Sequence, residues 1–228
     1  MLGDSPRIRN PRLQGSCPRD EDKQSYWLFV DGMRRGQAML ESKDEVFKWL
    51  TEHTGERFFY VRLKQAIWIE YKAYLLDVFI DLGRRLATNS ELVRQLIRDN
   101  NWRYNTFGNV LAILQGDANF TTDMAWRITQ WSWIAPQLAA GFVILADCHS
   151  NAILEHCLET ATEESRPKTV LSAYAALKLI GHTKAADFEK TSLFEHLQAL
   201  DRDNCMLLAD KYWQVWKKYK GLCTVESG

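Results

Sequence analysis

From residue 56 to residue 87 the chain contains no proline, and its first glycine there is Gly83. Over that span Val61, Trp68, Leu75 and Leu82 recur every seven residues, with Phe79 and Leu86 beside them. At about 100° of rotation per residue these side chains form one apolar stripe. A strand cannot carry that pattern, because its side chains alternate with a period of two. The stretch predicts a long central helix over residues 56–87, and so long a stripe needs other helices packed against it.

The punctuation around it predicts more helices. Ser42 followed by Glu45 is a capping box, Val46, Phe47 and Leu50 follow at helical spacing, and Gly55 stands where a C-terminal cap belongs. Further helices are expected over 90–99, 106–114, 122–133, 136–164 and 168–180, with two more between 184 and 220. Gly116, Gly181 and Gly221 fall at predicted ends, and Pro136 falls in a predicted first turn. Residues 26–40 fit two readings: Tyr26, Phe29, Val30 and Met33 suit a helix, whereas Asp31-Gly32 between apolar runs suits a small hairpin. Residues 1–22 are rich in arginine and proline and poor in large apolar groups, so they read as a flexible leader. The expectation is all-α: a single-domain bundle of about eight or nine helices over residues 23–228.

Composition narrows the function. Twenty-nine Lys plus Arg balance 29 Asp plus Glu, with pI near 7.0, so the clustered cationic excess of a general nucleic-acid binder is missing and no direct nucleic-acid binding is expected. Residues 134–146 form the longest apolar run, but they include Pro136 and Gln137 and fall short of the ~20 residues that cross a bilayer. They read as a buried core helix, and no membrane partner is expected. The first twenty residues lack the apolar segment of a secretory signal, which predicts a cytoplasmic protein. The five cysteines show no CxxC spacing, arguing for reduced thiols rather than a disulfide framework or a zinc site.

Three groups of residues are candidates for chemistry or binding. Glu70, Asp77 and Asp81 lie on one face of the long predicted helix, opposite the Trp68/Leu75/Leu82 stripe, and such a row could hold magnesium through carboxylate oxygens. The segment over 77–100, DVFIDLGRRLATNSELVRQLIRDN, superficially resembles squalene and phytoene synthases, whose DxxxD motifs hold magnesium and a diphosphate. The resemblance implies a helical, magnesium-dependent enzyme acting on an isoprenoid-type diphosphate. It covers one short segment and has a single DxxxD. The competing expectation is a solvated acidic face in which Asp81 pairs with Arg84 or Arg85 one turn later.

In the DCHSNAILEHC segment, His156 and Glu159 have the one-turn spacing that two ligands of a metal need, but Cys148 and Cys157 point to opposite sides of a helix. Packed thiols are the expected outcome. The templates for nucleophilic hydrolysis and nucleotide binding, GxSxG, HExxH, GxxxxGK[ST] and GxGxxG, are not found in the sequence.

The third group concerns partners. Residues 147–203 hold ten acidic and six basic side chains, and Glu155, Glu159 and Glu163 form an i, i+4, i+8 row with Glu164 beside it. Nine tryptophans are present; Trp126 and Trp133 share a helical face whereas Trp131 is turned about 160° from Trp133, so core packing is expected for the group with at least one of the three approaching a different surface. Glu155, Glu159, Glu163, Glu164 and Trp131 are therefore the candidate partner-binding residues. The leading functional expectation is a non-catalytic module without cofactor, an immunity-type inhibitor that neutralises a toxin or effector protein by direct binding.

Overall fold

The computed structural model describes residues 40–55, 60, 63, 73–146 and 151–223. Among them there are eleven α-helices and no strand, so the chain is an all-α bundle. The leader over 1–22, most of the 26–40 segment and the first part of the long predicted helix lie outside the described residues. In chain order the helices are α1 (Lys43–Thr54), α2 (Ala73–Arg85), α3 (Ser90–Arg98), α4 (Trp102–Gln115), α5 (Thr121–Thr129), α6 (Ala135–Leu145), α7 (Asn151–Glu159), α8 (Pro167–Leu179), α9 (Thr183–Phe188), α10 (Ser192–Ala199) and α11 (Cys205–Trp216).

Local chemistry sets these boundaries. The capping box closes α1 at both partners, with Ser42 Oγ accepting from the Glu45 amide and the Glu45 carboxylate accepting from the Ser42 amide; Gly55 ends it at φ 62°. Gly116 ends α4 at φ 70°. Asn101 starts α4 four residues earlier than the apolar pattern implies, because its side chain caps the Arg103 amide at 3.1 Å.

The helix expected over 136–164 is divided. α6 leaves helical geometry at Ala146, with ψ 130°, and α7 stops at Glu159. Beyond that point the Thr160 hydroxyl donates to the His156 carbonyl at 2.8 Å, and the Ser165 hydroxyl accepts from the Thr162 amide at 2.9 Å. Such side-chain bonds give the backbone an alternative to the helical ladder. A third helix between 183 and 216 likewise raises the count above the expected eight or nine.

The centre of the described bundle is α6. Apart from Gln137 it is apolar on every face, it is buried except at Val143, as the sequence pattern of 134–146 anticipates, and it packs against α11, α5, α8 and α4. In α2 the stripe is as expected, with Leu75, Phe79 and Leu82 fully buried and Asp77 on the outer side.

Two glycines inside helices mark close backbone approaches. A Cβ at Gly108 would stand 2.6 Å from the Ile97 backbone nitrogen, where α4 crosses α3. A Cβ at Gly141 of α6 would collide with the Asn109 side chain, whose amide donates to the Gln137 carbonyl at 3.1 Å.

One side-chain amide gathers three segments. Asn105 Nδ2 faces the carbonyls of Leu96, Ile97 and Asp99 at 3.3, 3.0 and 2.6 Å, taking up the open end of α3. Its Oδ1 accepts from Ser132 Oγ at 2.9 Å and from Arg127 Nε at 3.3 Å. Arg127 also donates to Asn100 Oδ1 at 3.3 Å; burial pulls its guanidinium below its ordinary value, and Asp99 pulls it back.

Asn105→Leu is expected to lower stability by about 2–4 kcal/mol, since it strands several buried polar groups at once. Gly108→Ala is also expected to destabilise, against its gain of about 1 kcal/mol in helix propensity. Urea unfolding of both variants checks this, with exposed Ser192→Ala as a reference expected to shift stability by about 1 kcal/mol or less; a stabilised Gly108→Ala variant would contradict the close-approach argument.

Candidate functional site

The most distinctive surface lies where α5 ends. Helix α5 closes at Thr129, and Gln130 is its C-cap. Trp131 then takes φ 63°, a left-handed conformation that costs a residue with a Cβ about 1–2 kcal/mol. The reversal is held from below by Ser132, whose hydroxyl bonds to Asn105 and also accepts from the Ile134 amide at 3.3 Å.

Because the helix ends before Trp131, the expected separation of the tryptophans is overturned. Trp131 and Trp133 stand side by side, ring centroids 5.6 Å apart and planes tilted by 56°. All three tryptophans, expected as a group to pack in the core, are exposed: Trp131 at 37%, Trp126 at 39% and Trp133 at 53%.

Cations lie over these rings. The Arg166 guanidinium is 4.8 Å from the Trp131 centroid, and Lys168 Nζ is 5.3 Å from that of Trp133. Lys168 is fixed there by the Trp133 carbonyl at 3.1 Å and by Asp203 at 2.9 Å. Arg98 lies 5.8 Å from the Trp126 centroid and pairs with the buried Asp123 at 2.5 Å. Sequence reasoning missed Arg166, Lys168 and Trp133, and no local pattern links them, since Lys168 reaches the Trp133 carbonyl across 35 positions.

Two cavities meet beside Trp131. One, of about 320 Å³, is lined by Gln130, Trp131, Ser165 and Arg166 among others; its neighbour, of about 500 Å³, reaches His156. Both share Thr129, Gln130, Cys157 and Thr160, so they form one groove between the end of α5 and α7.

The acidic row is rearranged. Glu155 pairs with His182 Nε2 at 3.1 Å and Glu159 pairs with Lys184, tying α7 to the start of α9. The Glu159 carboxyl is held below its ordinary value by the hydrogen bond from Lys184 and its charge. Glu163 and Glu164 are not on the helix with them; they lie exposed in the turn after it, because the side-chain bonds of Thr160 and Ser165 end the helix at Glu159. That turn borders the Trp131 cavity through Thr160, Ala161 and Ser165.

Of the carboxylate row, Glu70 is outside the described residues. Asp77 is exposed, and Asp81 accepts from Arg85 Nε at 2.9 Å, the pairing expected of a solvated acidic face. Among the described residues no cluster of three or more His, Cys, Asp or Glu side chains is arranged to hold a metal ion, and no helix is long and apolar enough to cross a membrane.

Comparison of the chain with protein-family models, with curated proteins and with solved structures finds no match in any of the three. The surface geometry is therefore the basis for a functional reading.

Cys157 lines both cavities, and burial pushes its thiol up to about 11. Its alkylation by iodoacetamide at neutral pH is expected to run about 100-fold slower than that of free cysteine and to accelerate toward pH 10–11. Peptide-level mass spectrometry across that range checks it, and an apparent pKa near the free-cysteine value of about 8.5 would contradict it.

Proposed function

We propose that the chain is a non-catalytic protein-binding module, in its narrower form an inhibitor that neutralises a toxin or other effector by covering it. The observation that supports this reading is the paired exposure of Trp131 and Trp133 on a strained, well-supported bend.

Tryptophan carries large apolar area at small entropic cost and dominates the centres of protein interfaces. Here the two indoles are already ordered, one under Arg166 and the other under Lys168, so a partner would not meet the full cost of fixing them. A strained backbone at an exposed aromatic is the kind of outlier from which a functional role is reasonably inferred.

The partner surface that fits has apolar side chains to pack on the indoles and cationic side chains opposite Glu163 and Glu164. Those two carboxylates are the part of the acidic row left for a partner, because Glu155 and Glu159 already hold α9. Their role is in encounter and orientation, which long-range charge affects more than it affects the lifetime of the complex.

The test starts from a photo-reactive residue placed at Gln130 in the full chain, which identifies the protein that contacts this face. Titration of that protein against the wild type, Trp131→Ala and Trp133→Ala is expected to show each variant binding about 30-fold more weakly, a loss of about 2 kcal/mol. Equal affinities would remove the aromatic face from the reading. With Glu163→Lys and Glu164→Lys combined, association is expected to slow at low salt and the difference to shrink at high salt.

A further inference from the structure

We propose that the surface formed by the second half of α11 and the chain after it, to Cys223, docks on an anionic lipid bilayer. The inference does not depend on the protein-binding reading, because none of its residues belongs to the Trp131 face.

Charge is the first observation. Residues 205–223 carry four lysines, Lys211, Lys217, Lys218 and Lys220, against one acid, Asp210, in a chain whose overall charge is zero. All four lysines are exposed. Lys168, Lys178, Lys184 and Lys190 pair with carboxylates, whereas among the described residues Lys211, Lys217 and Lys220 make no ion pair. Asp210 accepts from the Gln214 side chain at 3.4 Å instead. Asp117, beside the close approach of Gly116 and Gly221, accepts from the Asn119 amide at 2.9 Å.

A second observation is apolar. Helix α11 ends at Trp216 and runs into a 3₁₀ turn, Lys217–Tyr219. The chain beyond is fastened to the end of α4: the Gly221 amide donates to the Ile113 carbonyl at 3.0 Å, and the Cys223 amide donates to the Leu114 carbonyl at 2.8 Å. Cys223 is buried by this fastening, while Leu222, between the two anchors, is held outward at 42% exposure. Contact with the acyl boundary of a bilayer would remove that leucine from water.

The chemistry around Leu222 favours lipid over nucleic acid. Lys217 Nζ lies 4.2 Å from the centroid of Trp213, and Lys218 Nζ lies 5.1 Å from that of Tyr219. Each ring thus has a lysine of its own over it, which competes with the stacking of a base. Lysines whose stems run along aromatic rings, with the charged heads in water, suit the headgroup level of a bilayer. Lysine is also a point charge without the planar fork that reads a phosphate or a base edge, so it answers the diffuse field of an anionic leaflet. A surface of this kind lies on a bilayer without crossing it, and so needs no long apolar helix.

The experiment is co-sedimentation of the full chain with vesicles of phosphatidylcholine alone or with about one third phosphatidylserine, at low and high salt. The wild type is expected to bind the serine-containing vesicles, to leave the neutral ones, and to lose most of its binding at high salt. Lys217→Gln is expected to weaken binding about fivefold, and Lys217→Gln, Lys218→Gln and Lys220→Gln together about 100-fold. Lys190→Gln makes the same change of charge away from this surface and is expected to bind like the wild type. Leu222→Gln is expected to weaken binding at both salt concentrations, since an apolar contact is not screened. Circular dichroism confirms that the variants are folded.

A wild type that ignores the anionic vesicles, a triple variant that binds them as tightly as the wild type, or a loss with Lys190→Gln equal to that with Lys217→Gln overturns the proposal. So does a parallel titration in which a DNA duplex binds this surface and the vesicles do not.

Discussion

The side-chain amide of Asn105 is the interaction on which the Trp131/Trp133 face depends. It sits in the second turn of α4, out of solvent, and its amide group takes up three carbonyls at the end of α3 while its oxygen accepts from Ser132 and Arg127. In a low-dielectric interior each of these bonds is stronger than in water, and each would be costly to leave unmade. The consequence is positional. Ser132 lies between Trp131 and Trp133, so anchoring its hydroxyl fixes the bend that sets both indoles side by side. A strained Trp131 persists because the bend beneath it has little freedom to relax.

The same economy of space shapes the centre of the bundle. Helix α6 is surrounded by α4, α5, α8 and α11, and a helix contacted on every side can carry polar groups only where they find partners. Asn109 of α4 meets that condition with its amide group, which donates to the Gln137 carbonyl of α6 at 3.1 Å, while its oxygen is packed against Gly141. The glycine thus serves packing, in spite of its poor helix propensity. Both interior glycines, Gly108 and Gly141, make room for α4: one lets it meet α3, the other lets its Asn109 meet α6.

Much of this was legible in the sequence wherever the cause is local. The Ser42/Glu45 box, the glycine caps at Gly55 and Gly116, the stripe on α2 and the largely apolar, buried α6 follow from local sequence alone. The end of α7 did not, because Thr160 and Ser165 halt the helix through bonds of their own side chains, and neither residue is a breaker by composition. Nor did the turn at Trp131, since left-handed caps are normally signalled by glycine or asparagine. That single missing signal changes where the tryptophans stand, because the relative angles of Trp126, Trp131 and Trp133 hold only along a continuous helix, and α5 ends at Thr129. Arg166 and Lys168 were invisible for a different reason: their partners are tertiary.

The charge balance of the chain also has a spatial meaning. In residues 147–203 the acidic side chains outnumber the basic ones by ten to six, which suggested an acidic surface. Yet Glu155, Glu159, Glu189 and Asp203 pair with His182, Lys184, Lys178 and Lys168, binding α7, α8 and the segments after them to one another, and Asp187 pairs locally with Lys190. Exposed pairs of this kind contribute little to stability, about 0–1 kcal/mol each, but they set where the remaining charges stand. What remains by the Trp131 cavity is a short stretch in which two exposed carboxylates, Glu163 and Glu164, precede the Arg166 guanidinium. This face therefore presents not a net charge but an order of charges: negative on the turn, positive at the start of α8, with an indole beneath the positive group. In the proposed binding role, selectivity would come from that order, since a partner with the opposite arrangement would place like charges together.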